Sequence, residues 1–140
     1  MSPVDAKQPG LRLRLAHEAR RLAGQHGYLD ALVGATRRAI ERDAGAEAGE
    51  ALIGFRGALE SHFALEERLH FPALQGLRPE LASDLAELTR EHARLRASLD
   101  RLKRCSDRVE MTADLDSFSA SLRIHEDREE RLFDGAGSMR

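Results

Sequence analysis

Tryptophan is absent from this chain of 140 residues, tyrosine and cysteine occur once each, and aromatic residues make up only 4%. A single cysteine, Cys105, excludes an internal disulfide and suits a reducing cytoplasm, where such a residue is ordinarily a small buried apolar one. No apolar run approaches the ~20 residues needed to span a membrane, and Met1 to Gly10 lacks the basic-then-apolar layout of a signal peptide. The expectation is a cytoplasmic protein with no membrane partner. Charge of one sign is scarce as well: 22 basic and 24 acidic side chains, well interspersed, leave a net charge of −2. That excludes the electrostatic footprint of a nucleic-acid binder. Runs of Val, Ile, Thr and aromatics alternating with polar residues are missing, so no strand is predicted.

What remains is rich in Ala, Leu, Arg and Glu, a helix-forming composition. The length suits one domain with a real core. The four prolines (Pro3, Pro9, Pro72 and Pro79) lie near the start or near one turn, so long helices are left intact. Punctuation predicts four of them. Helix 1 runs from about Leu11 to Asp43, and helix 2 from about Ala48 to the Pro72–Gly76 stretch. Helix 3 starts at Pro79, a residue suited to the first helical position, and continues to about Arg108. Helix 4 is capped by Thr112 and stopped by Gly135. Short connections make neighbours antiparallel, which gives an all-α, up-down-up-down four-helix bundle over residues 11–137, preceded by a flexible stretch, residues 1–10.

Two segments carry one pattern at a three-four spacing, offset by 63 residues from His62 to His125. The first is Leu52, Phe55, Leu59, His62, Glu66, Leu69, Ala73; the second is Leu115, Phe118, Leu122, His125, Glu129, Leu132, Ala136. Such a spacing draws a narrow seam facing other helices. Helices 1 and 3 have matching seams: Leu15, Ala19, Leu22, His26, Leu29, Val33, Thr36, Ile40, and Leu81, Leu85, Leu88, His92, Leu95, Leu99, Leu102. The chain reads as a helical hairpin written twice. At about 1.5 Å of rise per residue, all four helices bring their polar seam residues to a similar level, between layers of Leu, Phe and Val.

Four histidines and two glutamates in one buried layer are expensive unless something compensates them, and a metal ion is the strongest compensation. Imidazole and carboxylate without thiolate suit iron ahead of manganese or zinc. In His-x-x-x-Glu both side chains share one helical face, so the imidazole can bind one ion while the carboxylate leans across to bridge two. Two such motifs favour a dinuclear centre. The ferritin-like alternative needs Glu-x-x-His on two helices; Glu67 and His70 make one such pair and no second exists.

The order His26, His62-x-x-x-Glu66, His92, His125-x-x-x-Glu129 resembles the hemerythrin-like (HHE cation-binding) family over nearly the whole chain after the first ten residues. The strings from His62 to Leu69 and from His125 to Leu132 are similar to its hallmark segments. The resemblance implies that His26 and His62 hold one iron and His92 and His125 the other. Glu66 and Glu129 would bridge them alongside an oxo or hydroxo group. Oxygen-carrying members have a fifth histidine one turn from the third-helix histidine; Leu88 and Arg96 stand at those places here, so both irons are expected to be open. That leaves several roles: reversible binding of O2 or nitric oxide, redox activity on peroxide or nitric oxide, and iron storage or iron/oxygen sensing through a partner protein. His70 is either a substitute ligand or a boundary histidine. His17 lies off the seam and is expected in solvent. Glu67, Glu91 and Glu130, next to ligands, are expected at the surface or as outer partners of the ligands. Tyr28 and Cys105 receive no role.

Overall fold

The apolar seams close on one another as their spacing dictates. In the computed structural model, which describes residues 3–42, 45–105 and 107–137, the elements are α1 (Pro3–Glu41), α2 (Gly45–Leu65), a π-helical turn (Glu66–His70), α3 (Phe71–Leu77), a 3-10 turn (Pro79–Leu81), α4 (Ala82–Arg104) and α5 (Arg108–Gly137). α2, the π turn and α3 make one continuous rod, so four rods form the bundle. α1 packs against α2 and α5, and α4 closes the ring against α2, α3 and α5. There is no strand among the described residues, and no helix there is long and apolar enough to cross a membrane.

Several boundaries differ from the sequence expectation. α1 begins upstream of Leu11, and Asp43, its expected end, lies outside the described residues. α4 stops at Arg104, and α5 starts at Arg108 and passes Gly135. Thr112 is therefore inside α5, where its hydroxyl donates to the Arg108 carbonyl at 2.9 Å. The capping acceptor is Asp107, whose Oδ1 takes the Val109 N–H at 3.0 Å. Both residues have short polar side chains; Asp107 reaches a free helix-end donor, which Thr112 cannot do from the second turn. Asp107→Ala should therefore lower stability by about 1 kcal/mol, while Thr112→Ala should stay within about 0.5 kcal/mol. Comparing their urea midpoints checks this.

The π turn has a local cause. Pro72 has no N–H to offer the preceding turn, and its ring crowds that turn. The chain widens just upstream, where the Phe71 N–H reaches back to the Glu66 carbonyl. The widening moves the seam: Leu69, expected inside, is 55% exposed, while His70, Phe71, Leu74 and Leu77 are buried. Ala73 is only partly buried. In α5, which has no π turn, the seam drifts by one residue, from the half-buried Leu132 to the buried Phe133. Side chains of Leu15 and Ala136 lie outside the described set. Leu81, in the 3-10 turn, is half-buried, and the rest of the α1 and α4 seams is buried as expected.

The core is split. One apolar cluster, built around Leu29, Val33, Phe55, Leu59, Leu99 and Phe118, occupies one end. A second, with Leu22, Phe71, Leu74, Leu85, Leu88 and Phe133, occupies the other. Each fully buried Leu or Phe contributes about 1.5–3 kcal/mol. Between the two clusters lies a polar layer.

Candidate metal centre

Every helix of the bundle delivers to that layer. α1 supplies His26, α2 supplies His62, the π turn begins with Glu66, α4 supplies His92, and α5 supplies His125 and Glu129. All six are buried, with Glu66, His92 and Glu129 at 0% exposure. Their donor atoms form two groups that share both carboxylates. His26, His62, Glu66 and Glu129 lie within 4.8 Å of one another, and so do Glu66, His92, His125 and Glu129.

The geometry within each group is specific. Glu66 turns Oε2 to His62 Nε2 at 3.3 Å and Oε1 to His92 Nε2 at 3.1 Å, one oxygen toward each half. Glu129 presents Oε1 to both sides, 3.3 Å from His26 Nε2 and 3.2 Å from His125 Nε2. The imidazoles pair edge to face within each half, His26 with His62 at 5.0 Å and His92 with His125 at 4.8 Å between centroids. His92 is also walled by Phe63, stacked at 3.8 Å, and by Phe71 at 5.7 Å.

Each imidazole is fixed through its other nitrogen. His26 Nδ1 meets Glu130 Oε2 at 2.8 Å, His62 Nδ1 meets Gln25 Oε1 at 2.8 Å, His92 Nδ1 meets Glu67 Oε2 at 2.6 Å, and His125 Nδ1 meets Glu91 Oε1 at 2.7 Å. All four partners are acceptors, so Nδ1–H donates and the Nε2 lone pair faces the layer. Yet none of the four Nε2 atoms, nor any carboxylate oxygen of Glu66 or Glu129, has a hydrogen-bond partner. Eight buried polar atoms converging without partners would cost several kcal/mol in a sealed core. A cation in each group would satisfy them with the atoms already aimed at it. The residues present fit a pair of hard or borderline metal ions.

Electrostatics favour the ligand-competent state. Burial lowers His125 to about 4 despite the opposing Glu91 bond, so this imidazole is neutral at neutral pH.

The outer partners separate what sequence reasoning reached from what it missed. Glu67, Glu91 and Glu130 are the expected outer partners, and Arg128 donates to the second oxygen of Glu91. Gln25 was not singled out, because an amide does not read as a metal ligand, although it precedes His26 as Glu91 precedes His92. Glu126 was also missed. It is 3% exposed, and burial pushes its carboxyl up to about 8, with Asp30 beside it adding to the rise and His26 opposing it. The unfolded chain releases this proton near 4.5 and the folded chain only near 8, so Glu126 lowers stability progressively as pH rises between those values. Glu126→Gln, which keeps a donor for Asp30, should stabilise the metal-free protein at pH 8 by a few kcal/mol and leave it unchanged at pH 4. Thermal melts at the two pH values check this.

His70 is buried and sits edge-on to Phe133 at 6.2 Å between centroids, but it joins neither donor group. His17 and Tyr28 are exposed. Cys105 is half-buried rather than a core residue; its thiol donates to Asp114 Oδ2 at 3.2 Å and is pushed up to about 11 by that carboxylate, by burial and by Glu110.

The family model described as "Hemerythrin HHE cation binding domain" matches residues 17–134, a span that holds all six residues of the layer. Neither the curated proteins nor the solved structures give a match.

Proposed function

Since this chain belongs to the hemerythrin HHE cation-binding domain family, we propose that it is a non-haem di-iron protein that takes O2, nitric oxide or peroxide at its buried metal layer. The observation that supports this is the set of unpartnered donors, four imidazole nitrogens and four carboxylate oxygens in two groups sharing both glutamates. His26 and His62 would hold one ion, His92 and His125 the other, and Glu66 and Glu129 both. Nitrogen and carboxylate donors without thiolate favour iron over zinc or manganese. A bound pair of iron ions supplies Lewis acidity and two exchangeable electrons for such a ligand.

The chain's own residues set the conditions. Glu67, Glu91, Glu130 and Gln25 lock each imidazole in the tautomer that offers Nε2. The apolar clusters on both sides, with Phe63 and Phe71 against His92, exclude bulk water from the layer. No fifth histidine occupies the Leu88 or Arg96 position, so each ion would have the same inner donors, two imidazoles and the two shared glutamates, with room left for an exogenous ligand. This lends weight to redox activity on peroxide or nitric oxide beside simple binding.

Loading the purified protein with iron(II) under nitrogen and admitting air tests the reading. The expected outcome is about two irons per chain, in keeping with two donor groups, with near-ultraviolet oxo-to-iron absorption. A colour change that reverses between air and nitrogen marks a binder. Gas release from peroxide that is lost in His92→Ala marks a redox enzyme. Colourless, metal-free protein of full stability would overturn the proposal.

A further inference from the structure

The outer partners of the four imidazoles repeat as the imidazoles do, with one break. Glu67 and Glu130, each directly after a central glutamate, accept from His92 at 2.6 Å and from His26 at 2.8 Å. The residues directly before His92 and His26 accept from His125 at 2.7 Å and from His62 at 2.8 Å. In the first case that residue is Glu91; in the second it is Gln25. The His92/His125 half is therefore backed by two carboxylates, and the His26/His62 half by one carboxylate and one neutral amide. Arg128 donates to the far oxygen of Glu91 and orients that carboxylate.

In their inner donors the halves match. Each offers two buried imidazoles and faces both glutamates, and all the donor atoms of each group fall within the same 4.8 Å limit. A carboxylate draws on the Nδ1 proton more strongly than an amide does and makes the opposite nitrogen a better donor. Changing such a partner typically alters metal affinity about 10- to 100-fold.

We infer that Gln25 makes the two metal positions unequal: a divalent cation fills the His92/His125 position first and the His26/His62 position second and more weakly. This rests on the two-metal reading of the same layer and adds to it a filling order that the repeated ligand pattern alone does not provide. At limiting metal the chain holds one firmly bound ion and one exchangeable position.

The test is a cobalt(II) titration of the intact, metal-free chain under nitrogen, followed by calorimetry and by visible ligand-field absorption. Two binding steps are expected in the parent protein. Gln25→Glu should strengthen the second step about tenfold or more and leave the first in place. Glu91→Gln, an isosteric change in the other half, should weaken the first step by a similar factor and leave the second. Both variants thus narrow the gap, from opposite sides. Repulsion between the two bound ions is common to all three proteins and cannot produce that pattern. A gap unchanged by either substitution overturns the inference, as does Gln25→Glu strengthening both steps equally, which would reflect added charge alone. A parent chain that takes up neither cobalt nor iron overturns the metal-centre reading itself, so the two failures are distinguishable.

Discussion

Glu66→Ala should empty both metal positions together, and Glu129→Ala should do the same, whereas His26→Ala should spare one ion. The reasoning lies in which atoms face which half. Glu66 places one oxygen 3.3 Å from His62 Nε2 and the other 3.1 Å from His92 Nε2. Glu129 reaches His26 and His125 with a single oxygen, at 3.3 and 3.2 Å. Either carboxylate therefore belongs to both donor groups, and each histidine to only one. Loss of an outer partner already weakens metal binding about 10- to 100-fold, so loss of a shared inner donor should exceed that at both positions. Measured as iron per chain after desalting, the glutamate variants should fall close to zero and resemble each other. His26→Ala should settle near half the parent value. A Glu66→Ala protein that still holds one ion firmly would show that its carboxylate serves one half only, and markedly unequal losses in the two glutamate variants would remove the equivalence that the repeat implies.

The repeat itself was legible because burial and convergence on one layer impose the same spacing on a helix. His26 sits between Leu22 and Leu29, and His92 between Leu88 and Leu95, at the three-four interval that places all of them on the inner face. A polar residue on an apolar seam is conspicuous, and six of them at one level suffice to locate the layer. Three features lay beyond that signal. The π turn at Glu66–His70 depends on how the bundle absorbs Pro72, a tertiary outcome that no spacing announces, and it carries Leu69 outward. Gln25 and Glu126 sit beside layer histidines in sequence, where a three-four pattern predicts a flank rather than a buried contact. Asp107 and Thr112 are both competent caps in isolation, and only the position where α5 begins separates them. Seam spacing thus fixes which face a residue occupies, while partners across helices are settled by the packing of the whole bundle.

Removing the metal should change both how stable the protein is and the pH at which it is most stable. In the metal-free layer two groups act in opposite directions. His125 has its folded value lowered to about 4, so the unfolded chain takes a proton near 6.5 before the folded one does, and stability falls as pH drops from 6.5 to 4. Glu126, raised to about 8, works the other way and removes stability as pH rises from 4.5 to 8. Between 4.5 and 6.5 the His125 and Glu126 contributions oppose each other; above 6.5 Glu126 acts alone. The metal-free protein should therefore be most stable at about pH 5–6. Metal reverses the trend, because only deprotonated nitrogens and carboxylates bind it and its contribution grows with pH. Each ion adds about 2.7 kcal/mol when its free concentration is a hundred times its Kd. Two ions give about 5 kcal/mol, which for a chain of this size corresponds to about 15 °C in Tm. Thermal melts of loaded and chelator-stripped protein from pH 5 to 8 should show curves that lie close together at pH 5 and separate steadily toward pH 8. Equal melting temperatures at pH 8 would mean that the eight unpartnered donor atoms of the layer are not there to hold an ion.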